Sequence, residues 1–291
     1  MVAAFGEAAP AKINLALHVT GRRPDGYHEL ESLVVFAEVA DDLEASPAAG
    51  DTLRISGPFG AGIGNGATNL VLRAVAAFRA RFPDHVRTGL ALELKKNLPV
   101  AAGLGGGSAD AAAALRLMAV LGEPDIHPRD LFTLALALGA DVPACLLSRS
   151  CTIRGIGEIV TPLREFPRCH AVLVNPLVPV VTADVFRRLQ RRDNPRLPPL
   201  PDPLTRPAQL AMWLQETRND LEPAAIALLP LIGDLIARMG RIEGCMLARM
   251  SGSGATVFGL FGSGAQAHQA AHELRREWPT YWVGAAPLIA A

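Results

Sequence analysis

The segment VAAGLGGGSADAAAALRLMAVL, residues 100–121, constrains this chain more than any other. Four glycines (Gly103, Gly105, Gly106, Gly107) run straight into an alanine-rich stretch with helical character. Glycine in a regular element costs roughly 0.5–1 kcal/mol relative to alanine, so four together need a reason beyond connection. Bare N–H groups at the start of a helix, with the positive end of its dipole, suit an anion. The spacing predicts a helix from about Ser108, preceded either by a cradle for a phosphate-sized anion or by a flexible loop that Ser108 caps. No G-x-x-x-x-G-K-[ST] is present, which excludes a P-loop nucleotidase. Gly262, Gly264 and Ala267 fit only a loosened dinucleotide pattern and read as an ordinary strand–helix turn.

The remaining elements alternate in type. Strands are expected at Ile13–Thr20, Leu30–Val39, Asp51–Ile55, Leu90–Leu94, Cys169–Val174, Met246–Arg249 and Thr256–Phe261. Helices are expected at Asn69–Arg81, Asp130–Leu138, Ala183–Arg192, across Asn219–Met239 with breaks at Pro223 and Pro230, and at Ala265–Trp278. Asp141-Val142-Pro143 reads as a further helix start, with Asp as cap and Pro in the first turn. Six prolines between Asn194 and Pro207 make that stretch a loop. Both halves mix strands and helices, which implies an α+β chain of two domains with a boundary near residue 163, spanning 1–163 and 164–291.

Composition narrows the partners. Lys plus Arg and Asp plus Glu both number 28, so net charge is zero and a globally basic nucleic-acid binder is not expected. Four scattered cysteines without a C-x-x-C pair point to a reducing compartment, the cytoplasm, rather than a disulfide scaffold. The first residues lack a cationic region followed by an apolar run, so no signal peptide is expected. Apolar stretches such as Leu131–Ala140 fall short of the ~20 residues of a membrane span. His268 and His272 lie at i,i+4 without an evident third ligand and read as a solvated face, so no metal site is expected from protein side chains.

Individual side chains stay ambiguous at this level. Lys12 is one of only three lysines; a lone lysine at a strand start is ordinarily solvated. Asp141 is first of all a helix cap. Tyr27 and His28, after the Pro24-Asp25-Gly26 turn, suit either stacking on a flat ligand or edge packing of a hairpin. Ser251-Gly252-Ser253-Gly254 suits a tight hairpin, or a close backbone approach to a ligand or to the first glycine loop.

Taken in order, however, the motifs form a pattern. Ala11-Lys12-Ile13-Asn14-Leu15, the 21–28 turn, Leu98 to Ala109, Leu138-Gly139-Ala140-Asp141-Val142-Pro143 and Arg249 to Gly254 together resemble the GHMP kinase superfamily. The resemblance implies an N-terminal ATP-binding domain like domain 2 of ribosomal protein S5 and a ferredoxin-like C-terminal substrate-binding domain. It implies ATP-dependent phosphorylation, with Mg²⁺, of one hydroxyl of a cytidine-diphosphate-linked polyol. Other small-molecule acceptors (mevalonate, homoserine, a sugar), or a non-catalytic nucleotide-binding module, are the alternatives. By the same resemblance Asp141 is the general base and Lys12 its partner. Pro99, Val100, Ala101, Ala102, Gly103, Leu104, Gly105, Gly106, Gly107, Ser108 and Ala109 form the ATP phosphate loop, and Lys96 and Asn69 lie on the nucleotide side. Tyr27, His28 and Phe186 match cytosine-contacting positions, and Asn14 and Thr182 match positions near the polyol. Leu177 stands where the family commonly has Gly, and Val181, Ala144 and Cys145 also depart from its pattern.

Overall fold

The computed structural model describes residues 5–122 and 126–289. The chain folds into two compact units. The first takes the chain as far as Ala11, then Ala40–Val100 and Gly105–Leu147; the second takes Lys12–Val39, Ala101–Leu104 and the chain from Ser148 onward.

In the first unit, the far half of strand β2 (His28–Ala48) pairs antiparallel with β4 (Gly89–Lys95), which pairs parallel with β3 (Thr52–Ser56). Helix α1 (Leu70–Arg81) starts where Asn69 places its side-chain oxygen 2.9 Å from the Val71 amide. It ends on Arg79 and Arg81, whose charge suits the negative end of the dipole. Its buried stripe is Val71, Ala74, Val75 and Phe78. Helix α2 (Gly106–Leu121) packs against α1 and against α4 (Val142–Leu147). Ala109 and Ala111–Ala114 are all buried, and their small side chains let neighbouring helices approach from several sides. Helix α3 (Pro128–Leu138) begins at His127, whose ring accepts the Arg129 amide, with proline at its first position.

The second unit holds β1 (Phe5–Arg22) from Lys12 onward, the near half of β2, β5 (Cys151–Gly155) and β6 (Ile159–Pro162). Here β2 pairs with β1 and β5, and β5 pairs with β6. A second sheet contains β7 (His170–Asn175), β8 (Cys245–Met250), β9 (Val257–Phe261) and β10 (Trp282–Pro287) in the order β10-β7-β9-β8. Helices α5 (Thr182–Arg187), α6 (Pro207–Gln215), α7 (Glu222–Leu228) and α8 (Leu231–Gly240) separate β7 from β8; α9 (Gly264–Glu277) separates β9 from β10. A β8–β9 hairpin thus lies between two helix-bearing connections, with β7 paired to β9 and β10, the ferredoxin-like arrangement. Helices α8 and α9 cover this sheet, burying Ile232, Leu235, Ala267, Ala270, Ala271 and Leu274.

Several expectations need correction. Helix α2 begins at Gly106, not Ser108, because Gly105 takes the left-handed conformation (φ 63°) at the N-cap and no side chain caps the turn. Helix α5 stops at Arg187 rather than running to Arg192, and β1 and β2 run well beyond their expected ends. The short strands β5, β6 and β10 have no counterpart among the expected ones. Helix α6 is likewise additional: Pro207, expected to belong to the loop, is its first residue. None of the helices is long and apolar enough to cross a membrane among the described residues.

Candidate active site

The glycine-rich segment is divided between the two units. Its first part, Ala101–Leu104, belongs to the second unit and is held almost entirely through its main chain. The Lys12 amide donates to the Leu104 carbonyl at 2.9 Å, the Thr256 amide to that of Ala102 at 3.2 Å, and the Ser251 hydroxyl to that of Gly103 at 2.9 Å. Gly103 sits at φ 75°. A Cβ there would lie 2.4 Å from the Ser251 carbonyl oxygen and 2.9 Å from that of Gly254, so only glycine fits. Ser251–Gly254 thus lies in the connection of the antiparallel pair β8–β9, as the hairpin reading expects, and also approaches the first glycine loop.

The second part, Gly105–Ala109, opens α2 in the first unit. Its first intrahelical bond joins the Ala109 amide to the Gly105 carbonyl at 2.8 Å. The amides before it are the ones a helix leaves for an external acceptor. Gly107 is exposed and Gly105, Gly106 and Ser108 are half-buried, so this turn is reachable from solvent. Pro99 is buried and Val100 exposed at the loop's entry. Beneath the turn lies a cluster that sequence reasoning missed. The Lys96 ammonium is held by Asp41 and, at 2.6 Å, by Asp110 Oδ2, and none of the three residues is more than 4 % exposed. It would lie 3.5 Å from a Cβ on Gly106. Asp41 also accepts the Asn97 and Leu98 amides at 2.6 and 2.8 Å. Burial pushes the Asp110 carboxyl up to about 7, against the pull of Lys96 and with the repulsion of Asp41. Asp110 Oδ1 is buried with no hydrogen-bond partner. The available signal was an acidic residue set inside an alanine-rich helix, four positions after Gly106.

Asn69, on the same unit, caps α1 and donates its amide to the Gly64 carbonyl at 2.8 Å. Asp141 is half-buried immediately before α4, its carbonyl accepting the Cys145 amide at 3.1 Å. Lys12, in the other unit, is buried on β1 with 4 % exposure, which overturns the expectation of a solvated lysine. Its charge acts on the neighbouring Cys151 thiol, which burial nonetheless pushes up to about 12.

The second unit also collects the positions matched to the acceptor substrate. Asn14 donates its side-chain amide to Ser32 Oγ at 2.8 Å and its main-chain amide to Ser251 Oγ at 3.2 Å. Its Oδ1 is buried without a partner. His28 and Phe186 stack with ring centroids 4.9 Å apart, while Tyr27, next along the chain, stands 60 % exposed. Burial, reinforced by Arg192 and Arg22, lowers the His28 pKa, and its Nε2 is a second buried atom with no partner. A buried acceptor and a neutral ring nitrogen left open in this way are completed by an ordered water or by a ligand group. Thr182 and Ser253 share a hydrogen bond of 2.8 Å. Asn219 donates to the carbonyls of Met250 and Gly252, fixing the β8–β9 loop from its other side.

This combination, a glycine turn opening a buried helix and a ferredoxin-like sheet whose central loop grips the first part of that glycine segment, coincides with a known class. Residues 69–149 match the family profile "GHMP kinases N terminal domain" and residues 204–280 match "GHMP kinases C terminal". The chain belongs to the GHMP kinase family, in the two-domain α+β fold of that family. Within it, the chain is 47 % identical over 277 residues to a 4-diphosphocytidyl-2-C-methyl-D-erythritol kinase of Chelativorans sp., covering 95 % of this chain and 94 % of the relative. It is 50 % identical over 275 residues to the protein of that name from Dinoroseobacter shibae, covering 94 % and 92 %. A crystal structure of 4-(cytidine 5'-diphospho)-2C-methyl-D-erythritol kinase superposes with a TM-score of 0.79 at 35 % identity, covering 98 % of this chain and 99 % of the other. A homoserine kinase from Cytophaga hutchinsonii, with TM-score 0.70 and 18 % identity over 98 % of this chain and 97 % of its own, shares the fold alone.

Proposed function

We infer that this chain transfers the γ-phosphoryl group of ATP to a hydroxyl, the 2-hydroxyl, of 4-diphosphocytidyl-2-C-methyl-D-erythritol, a step of non-mevalonate isoprenoid precursor synthesis. The observation that carries this reading is identity of 47–50 % across nearly the whole chain to kinases of that name, with the glycine turn and the open acceptor atoms of Asn14 and His28 intact.

Phosphoryl transfer asks for positioning and charge compensation more than covalent chemistry. The amides of Gly106, Gly107 and Ser108 serve the polyphosphate, and the α2 dipole favours its charge. Mg²⁺ enters on the phosphate oxygens of ATP as part of the substrate, keeping several of its waters. By the resemblance, Asp141 accepts the proton of the attacking hydroxyl, and the positive charge of Lys12 offsets charge on the transferring group. Lys96 acts on the nucleotide side through the turn it supports, and Asn69 stands at the start of the neighbouring helix. The His28–Phe186 stack and Tyr27 offer a flat apolar surface with one open ring nitrogen, which suits a pyrimidine base. Asn14 and Thr182 suit the polyol. The domains are assigned as ATP-binding for 1–163 and substrate-binding for 164–291, and the working compartment as the cytoplasm.

The test offers purified protein 4-diphosphocytidyl-2-C-methyl-D-erythritol, mevalonate, homoserine and a sugar in turn, with ATP and Mg²⁺, and follows ADP release. Turnover with the cytidine compound alone is expected. Turnover with another alcohol instead, or ATP binding with no turnover on any, refutes the reading.

A further inference from the structure

The buried Ser251 hydroxyl joins two segments to which the proposed function gives different ligands. It accepts the main-chain N–H of Asn14 on β1 at 3.2 Å and donates its single proton to the Gly103 carbonyl at 2.9 Å. Ser251 is wholly buried, so water does not compete for either bond. The surroundings leave little slack. The Ser251 amide is tied to the Thr256 carbonyl at 2.9 Å, and the Thr256 amide to that of Ala102 at 3.2 Å. Asn219 holds the carbonyls of Met250 and Gly252, the residues on either side of Ser251.

Asn14 is equally constrained. Its side-chain amide is spent on Ser32 Oγ, itself donating to the Ala16 carbonyl at 2.5 Å. Only Oδ1 is left, buried and without a donor. A Cβ on Gly252 would lie 3.0 Å from the Gly103 carbonyl oxygen and 3.5 Å from Asn14 Oδ1, so the glycine lets the Gly103 main chain and the Asn14 side chain close on this turn together.

We propose that Ser251 is a positioning residue that couples the acceptor-alcohol site to the ATP site, so that each ligand tightens the binding of the other. The proposal rests on the functional reading above, in which Asn14 meets the polyol and residues 99–109 meet ATP. A hydroxyl donated to Asn14 Oδ1 fixes β1 at that residue. Ser251 passes the constraint to the Gly103 carbonyl and so to the segment leading into the phosphate turn. Whichever ligand binds first orders the shared link, and the second has less ordering left to supply. Such coupling is reciprocal and typically about 5–150-fold.

The test is a binding cycle by calorimetry. It uses Mg²⁺ with the β,γ-imido analogue of ATP, 4-diphosphocytidyl-2-C-methyl-D-erythritol, and each in the presence of saturating other. Wild type is expected to show at least ~5-fold mutual tightening. Ser251→Ala is expected to bring that factor close to one while both binary complexes still form. Ser251→Cys, similar in volume but a weaker donor, should fall between. A packing role alone would lower stability and leave the factor where it was. Should Ser251→Ala fail to fold, hydrogen exchange on wild type decides. The alcohol alone should slow exchange of the peptide carrying residues 101–104, and unchanged exchange there overturns the proposal. Independent binding in wild type, or full coupling retained in Ser251→Ala, also overturns it and leaves the assigned reaction standing. Failure of wild type to bind the alcohol at all overturns both.

Discussion

Asp41 and Asp110 hold the same ammonium, yet their replacement by asparagine should have opposite consequences. Asp41 is fully buried and accepts from Lys96 and from the Asn97 and Leu98 amides, so both of its oxygens are in use. An asparagine there turns an N–H₂ group toward either a buried ammonium or two main-chain donors. Breaking a buried pair in this way costs about 3–5 kcal/mol. Asp110 uses one oxygen only, and two carboxylates facing one lysine leave a surplus negative charge. Burial has accordingly raised its carboxyl from 3.8 to about 7. At 1.36 kcal/mol per pH unit that rise corresponds to about 4 kcal/mol between its protonated and ionised forms. A raised carboxyl contributes stability that is complete below its unfolded value and lost as pH climbs through the folded one. Of the total, roughly 2–3 kcal/mol falls between pH 5 and pH 9. Asp110→Asn abolishes this loss. Relative to wild type, it should therefore gain roughly 2–3 kcal/mol on going from pH 5 to pH 9. Asp41→Asn should be destabilised at both. Urea denaturation of the three proteins at the two pH values measures this directly. A pH-independent difference between Asp110→Asn and wild type, or an Asp41→Asn protein as stable as wild type, refutes the assignment of surplus charge to Asp110.

Three further outcomes are expected. Gly103→Ala should cost about 2–4 kcal/mol in urea denaturation, since strain at φ 75° adds to a Cβ 2.4 Å from a main-chain oxygen; a loss below about 1 kcal/mol would show that the two loops separate freely. Asp141→Asn should fold normally and lose about 10²–10⁴ in kcat, read from ADP release, and near-normal turnover removes Asp141 from the base role. His18 bonds the Pro195 carbonyl through Nδ1 and accepts the Arg218 amide at Nε2, and burial lowers its pKa below 6.5. Its contribution is complete above 6.5 and shrinks as pH falls, so His18→Gln should flatten the decline in Tm on acidification below that value, and an unchanged slope refutes the role.

The elements that are legible in the sequence carry their signal within a few residues. Asn69 before an apolar 3.6-residue period sets the start of α1, and Pro230 divides the helical stretch where expected, whereas Pro223 lies in the first turn of α7 with no helix directly before it. The glycine run announces a tight, anion-ready turn. Sequence reasoning puts the start of α2 two residues late because a serine there looks like the cap, whereas Gly105 reaches the required left-handed conformation without side-chain help. Strands β5, β6 and β10 stay hidden because Arg154 and Gly155, Thr161 and Pro162, and Gly284 and Pro287 interrupt their apolar pattern, and pairing with other strands rather than local sequence makes them strands.

By itself, then, the sequence determined the local conformations, the order of the motifs and through them the family, since turn and cap preferences act on nearby dihedral angles. Tertiary structure alone decided which buried polar groups meet. Lys96 finds Asp41 across 55 residues, and Asn14 finds Ser251 across 237. Those pairings follow from desolvation: once the core excludes water, each charge and amide must be satisfied by whatever the fold brings beside it, and no local pattern records what that will be.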